Sequence, residues 1–161
     1  MEKPAHVKNF GKSLNSVSGS NIFSLNAAAS VKVSYCRQHW LRFSWDDTWI
    51  AQELAGITQD TTLMFNDRPG FRNSSVINWT PWSTKNKSSH NLKAMPSIIM
   101  DSHFYDYQIN DIFKTNLSMN RLINECQFVN GEAAVLWHPH TLTKDYGWSQ
   151  GFKNLLDIMK K

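Results

Sequence analysis

The sequence predicts an α/β fold with parallel strands, and three observations carry that expectation. Short apolar runs stop abruptly at polar residues: Ile98, Ile99 and Met100 end at Asp101, and Ala133 through Trp137 end at His138, with Pro139 directly after it. Continuous runs of this length are typical of strands buried on both faces, and proline does not continue a central strand. Between the two runs, Ile112, Phe113, Leu117, Leu122, Ile123 and Cys126 fall near helical spacing. Strands alternating with helices in this way argue for parallel strands joined by crossovers.

Taken in order, residues 1–30 are polar and rich in Ser and Asn, with weak periodicity around Ile22, Phe23 and Leu25, and read as a poorly structured lead-in to a domain spanning 31–161. Residues 31–35 alternate as a short strand, and RQHWLRF over 37–43 reads as a strand end or loop. Ser44 followed by Asp47 matches a capping box. A helix through Trp49, Ile50, Glu53 and Leu54 follows, and Gly56 stands where a C-terminal cap belongs. Residues 58–64 read as a strand. A turn with Asp67, Arg68, Pro69, Gly70 and Arg72 opens a polar connection that reaches roughly to Leu92. Then come the strand over 96–100, the helix over 110–128, the strand running from Gly131 to His138, and an amphipathic helix over 147–159 with Trp148, Phe152, Leu155, Leu156 and Met159 on one side. About four strands are few for a closed barrel and leave an edge open.

Length and composition narrow the function classes. A chain of 161 residues with 41% hydrophobic content is one domain with a real core. The net charge of +4, from 17 Lys and Arg against 13 Asp and Glu, is scattered and makes no stripe for nucleic acid. No segment has the length of a membrane span and MEKPAHVKNF lacks a signal peptide's apolar core, so the expected location is cytoplasmic. Cys36 and Cys126 are expected as reduced, buried thiols. Seven Trp and nine Phe are more than a small core needs. Trp79, Trp82, Phe104, Tyr105 and Tyr107 fall in expected loops, either as ordinary packing or as flat platforms for sugars or proteins.

The sharpest chemical feature is His138, an imidazole at the carboxyl end of an interior strand, where α/β proteins bind ligands. The bland alternative is a loop histidine tied to neighbouring backbone. Asp46 and Asp47 either divide base and metal-ligand roles or simply favour the dipole of a helix's first turn. His138 and His140 make a metal pair only if Pro139 leaves them on one face, and His39 and His103 also sit near expected strand ends. Asp67, Arg68 and Arg72 either orient a polar ligand or form a loop salt bridge. No H-E-x-x-H, zinc-type cysteine pair, phosphate loop or G-x-S-x-G elbow occurs.

Three segments read together add a resemblance: RQHWLRFSWDDTWIAQELAGITQDTTLMFNDRPGFR, PSIIMDSHFYDY and GEAAVLWHPHTLTKDYGW. Their order and spacing resemble the C-terminal part of a bacterial branch of the NodB-homology polysaccharide deacetylases (carbohydrate esterase family four), whose members accompany surface-polysaccharide gene clusters. The D-R-x-G-F-R and L-W-H pieces are the most specific, and the likeness runs from about Val33 onward. It implies a partial (β/α) barrel and hydrolysis of N-acetyl groups on sugars, with acetylated sugar or polysaccharide as partner. In that family one Asp and two His hold a metal, usually zinc, a second Asp is the base, and a late histidine protonates the departing amine. That histidine matches His138; an amide nitrogen must be protonated to leave, and imidazole titrates in the useful range. Arg37 corresponds to the arginine that holds the catalytic Asp, and Asp67, Arg68, Arg72, Asp101 and Trp137 are implied as substrate contacts.

The departures from the family pattern are as informative. Its metal-bearing motifs lie upstream of the recognised segments, and residues before Val33, His6 among them, do not reproduce them. Asp46 and Asp47 mimic the acidic motif but fall where the branch begins a helix, while Trp40 and Met64 replace a usual Tyr and Gly. The expectation is therefore a C-terminal portion with the metal-bearing half absent, no cofactor in this chain, and zinc only if an N-terminal half encoded upstream is supplied. Two alternatives stand beside it: a non-catalytic carbohydrate- or partner-binding domain keeping the aromatic loops, and a site rebuilt from Asp46, Asp47, His39 and His138.

Overall fold

The computed structural model describes residues 33–107 and 111–160, so the lead-in expected over 1–30 lies outside the described residues. The chain divides into two units. One comprises the described part of Met1–Leu63 with Asn78–Met95, and the other Met64–Ile77 with Pro96–Lys161.

In the first unit, β1 (Tyr35–Cys36), β2 (Gln59–Asp60) and β5 (Lys93–Ala94) form a parallel sheet in that order. Cys36 is opposite Asp60 and Asp60 opposite Ala94, which aligns the carboxyl ends of all three strands. The expected strand over 58–64 is thus only two residues long, and it leads into buried Thr61, Thr62, Leu63 and Met64. Helix α1 (Thr48–Leu54) starts later than the capping box predicts. The Ser44 hydroxyl donates to the Asp47 carboxylate (3.1 Å) rather than accepting from the helix, and the Thr48 hydroxyl accepts the Ser44 N–H (2.8 Å). The C-terminal expectation is met in detail. Gly56, at φ +81, donates to the Glu53 carbonyl and Ile57 to the Gln52 carbonyl, the paired bonds of a Schellman cap.

The connection expected to be irregular up to Leu92 contains an antiparallel pair, β3 (Trp82–Ser83) with β4 (Ser88–Ser89), before β5. Trp79 exchanges both backbone hydrogen bonds with Ala94. Its ring packs on a core of Trp49, Leu63, Leu92 and Ala94, with Phe43 at the other side of Trp49.

The second unit is built on β6 (Ser97–Met100) and β7 (Ala134–Leu136), parallel neighbours joined through α2 (Ser102–Tyr105) and α3 (Ile112–Phe128). Helix α4 (Ser149–Met159) packs on α3, and the core holds Ile98, Ile99, Phe104, Met119, Leu122, Cys126, Leu155 and Ile158. Phe104, expected among the loop aromatics, is fully buried. The Asp111 carboxylate caps α3 by accepting the Phe113 and Lys114 N–H groups (3.0 and 3.2 Å). At its far end Asn130, at φ +51, and Gly131 donate to the Gln127 and Cys126 carbonyls, a second Schellman cap with asparagine in glycine's usual place. The buried face of α3 is Thr115, Met119, Leu122 and Cys126, whereas Phe113 and Leu117, expected with the core set, are exposed.

Among the described residues the paired strands make three separate sheets, and no helix is long and apolar enough to cross a membrane.

Candidate active site at the ends of two parallel strands

Because β6 and β7 are parallel, the segments leaving their carboxyl ends run side by side, which brings Asp101, directly after β6, against His138, two residues after β7. Asp101 has no solvent exposure, yet its two oxygens are surrounded by donors. Oδ1 lies 2.7 Å from His138 Nδ1 and accepts the Ser102 N–H (2.9 Å), while Oδ2 accepts the His138 N–H (2.9 Å). The Thr141 hydroxyl stands 2.9 Å from Oδ2 and 2.7 Å from the His138 carbonyl, so its single proton serves one of them at a time. Thr141 is placed there by the 3-10 turn Pro139–Leu142, which Pro139 opens at its first position. Burial alone would raise the Asp101 pKa. The hydrogen bonds from His138, the charge on its ring and the Thr141 hydroxyl outweigh burial and hold the carboxyl below its usual range.

A carboxylate accepts only, so this pairing puts a proton on Nδ1 of His138 and directs Nε2 to the other side of the ring. The imidazole side chain is 38% exposed. A chain of rings continues from it: His140 at 5.5 Å, then Tyr146, then Trp148, which stacks on Tyr105 at 4.6 Å and 11°. Trp137 lies edge-on to Tyr105 and tilted against Phe152, and its buried indole N–H has no hydrogen-bond partner. Trp137, expected as a substrate contact, is half-buried among these rings beside the pair.

The remaining expected residues of this unit have local partners. Asp67 and Arg68 form an exposed loop salt bridge (3.1 Å), with the Arg68 guanidinium 4.1 Å from the Phe65 ring centre. Arg72 donates to the Met64 carbonyl (3.3 Å). His103 is fully buried; its Nδ1 accepts the Met100 N–H (3.1 Å) and its Nε2 donates to the Phe65 carbonyl (2.9 Å), the pattern of a neutral ring. Burial lowers its pKa against the pull of Asp67 and Asp101.

Arg37 belongs to the first unit, just past β1. It is buried and its Nε donates to the Thr61 carbonyl (3.2 Å). Burial pushes the guanidinium down to about 10, with Asp60 and Cys36 acting the other way. Burial also pushes the Cys36 thiol up to about 12. Asp60, at the end of β2, is the residue that sequence reasoning passed over. It is buried and accepts from Trp49 Nε1 (3.2 Å), Gln52 Nε2 (2.8 Å) and Thr62 Oγ1 (2.5 Å), and burial still raises its pKa. The available signal was a carboxylate inside a segment expected to be a buried strand. Just beyond Arg37, Trp40 and Leu41 both take positive φ (62° and 51°), a strained turn for two non-glycine residues that leaves Trp40 exposed. Asp46 accepts from the Thr84 hydroxyl, Asp47 from Ser44, and the buried His90 pairs with Glu53 (2.7 Å).

Among the described residues no three His, Cys, Asp or Glu side chains gather to hold a metal ion, so these residues do not supply the donor set for the zinc that the deacetylase resemblance implies. No family model, curated protein or solved structure matches the chain.

Proposed function

We propose that the second unit carries the proton-donating part of a polysaccharide deacetylase-like site within a partial (β/α) barrel, acting on N-acetyl groups of sugars. The observation that carries this is the Asp101–His138 pair at adjoining strand ends. In amide hydrolysis the carbon–nitrogen bond breaks as the nitrogen is protonated. His138, as imidazolium, gives that proton from Nε2 while Asp101 keeps Nδ1 protonated and balances the ring's charge. Asp67, Arg68, Arg72 and Trp137 are the substrate-side residues of this assignment. The described donors do not hold a metal, so this chain alone is assigned no hydrolysis; a second chain bearing the metal ligands would have to complete the site. We assign the chain to the cytoplasm, in keeping with two free, buried cysteines.

The test is a titration of the chain with N-acetylglucosamine oligomers, followed by NMR of the histidine rings and by acetate release with zinc present. The expected result is a shift of the His138 resonances and no acetate. Unmoved His138 resonances would overturn the site, and robust zinc-dependent release would overturn the assignment of no hydrolysis to this chain alone. A second reading, a carbohydrate- or partner-binding domain without catalysis, is favoured by Trp82, whose ring is 58% exposed beside the β3–β4 pair. It expects Trp82→Ala to weaken glycan binding and His138→Ala to leave it unchanged. Trp79→Ala is a poorer probe, because that ring packs on the core.

A further inference from the structure

We propose that α3 is the seam of a symmetric dimer, pairing antiparallel with α3 of a second copy of this chain. The helix is apolar on two opposite sides. Thr115, Met119, Leu122 and Cys126 face the core. At 3.6 residues per turn, Phe113, Leu117, Asn124 and Phe128 line up on the side directly away from it. Three of these four are large apolar side chains left to solvent: Phe113 is 74%, Leu117 61% and Phe128 92% exposed. A groove beside the same stripe is walled by the apolar Val76, Leu117, Phe128 and Val129, with Arg121 and Glu125 among the polar residues at its rim. An apolar stripe of this kind, opposite a helix's buried face, marks an interaction surface.

What selects a second copy is that the stripe is complementary to itself. A two-fold axis between Asn120 and Arg121 sets Phe113 level with Phe128 of the second copy, and Leu117 level with its Asn124. Phe113 then enters the groove beside Phe128 at each end. Antiparallel helices meet edge to like edge, and one edge of this stripe carries Lys114, Arg121 and Glu125. The same axis brings Lys114 close to Glu125 of the other copy, twice over, so opposite charges meet at both ends, while the two copies of Arg121 flank the axis as like charges. Within one chain these groups make only exposed contacts, Lys114 with Asp111 (3.7 Å) and Glu125 with Arg121 (3.0 Å), which are worth little and are readily exchanged. One helix pair buries an area at the small end of specific interfaces, so the dimer forms reversibly with concentration.

Sedimentation equilibrium of the full chain over a range of concentrations tests this. The expected mass doubles at high concentration, and Phe128→Asp, at a position too exposed to disturb folding, weakens the dimer about tenfold or more. Lys114→Glu weakens it, and Lys114→Glu combined with Glu125→Lys restores it. A chain that stays monomeric, or a dimer untouched by Phe128→Asp, overturns the proposal. A charge swap that fails to restore association overturns the antiparallel register.

Discussion

His138 Nδ1 lies 2.7 Å from Oδ1 of Asp101, a residue 37 positions earlier in the chain, and the same carboxylate also accepts the His138 backbone N–H. One buried side chain thus fixes both the ring and the backbone of its partner. It does so because parallel strands finish side by side, and because the turn after Pro139 returns Thr141 to Oδ2 of the same carboxylate.

Replacing Asp101 with Asn keeps the shape and removes the charge. An amide NH2 facing His138 Nδ1 donates where the carboxylate accepted, so the neutral ring moves its proton to Nε2. The expected cost is about 1–3 kcal/mol in denaturant unfolding, for buried donors left poorly matched. The distinguishing readout is the tautomer, seen by nitrogen NMR of the His138 ring. An unchanged tautomer in Asp101→Asn would show that Asp101 does not set it.

Acid weakens the fold in two steps. His103 is buried neutral with its pKa lowered below 6.5 by burial, so the unfolded chain takes up a proton that the folded chain refuses. Its contribution is intact above the unfolded value and falls as pH drops from 6.5 toward the lowered folded value. Asp101 is held below its ordinary 3.8, so the stability it supplies is present above that value and lost as pH falls through the folded one. The parts of the measured unfolding midpoint that depend on His103 and on Asp101 should decline in these windows, while Asp60, raised by burial, acts the other way as it takes up its proton. His103→Gln should flatten the first window only.

Three glycines separate space from backbone angle. A Cβ on Gly131 would sit 2.1 Å from the Val76 carbonyl oxygen, a clash with backbone that cannot swing away; Gly131→Ala should cost about 3 kcal/mol. At Gly151, inside α4, alanine gains helix propensity but its Cβ meets Tyr105 Oη at 2.2 Å, with that ring stacked on Trp148. A net loss of about 1 kcal/mol is expected there, together with a change in Trp fluorescence. Gly56→Ala has open space and a φ of +81, and should cost about 1 kcal/mol through conformation alone. Thermal unfolding of the three variants should put Gly131→Ala well below the other two.

Sequence alone determined what depends on neighbours along the chain. The strands before Asp101 and His138, the helices Ile112–Phe128 and Ser149–Met159, and the cap at Gly56 follow from local periodicity, proline's missing N–H and glycine's tolerance of positive φ. His138 was legible as a strand-end imidazole for the same reason. Only the tertiary structure decided the partners. Nothing local marks Asp101 as the group beneath His138, 37 residues on, or Asp60 as a carboxylate gripped by Trp49 and Gln52, 11 and 8 residues back; only Thr62 is near it in sequence. Nor does spacing say which side of α3 is buried. Phe113 and Met119 are both apolar, and only the positions of β6, β7 and α4 turn Met119 inward and leave Phe113 in water. Burial is a property of what packs against a residue, and distant segments supply it.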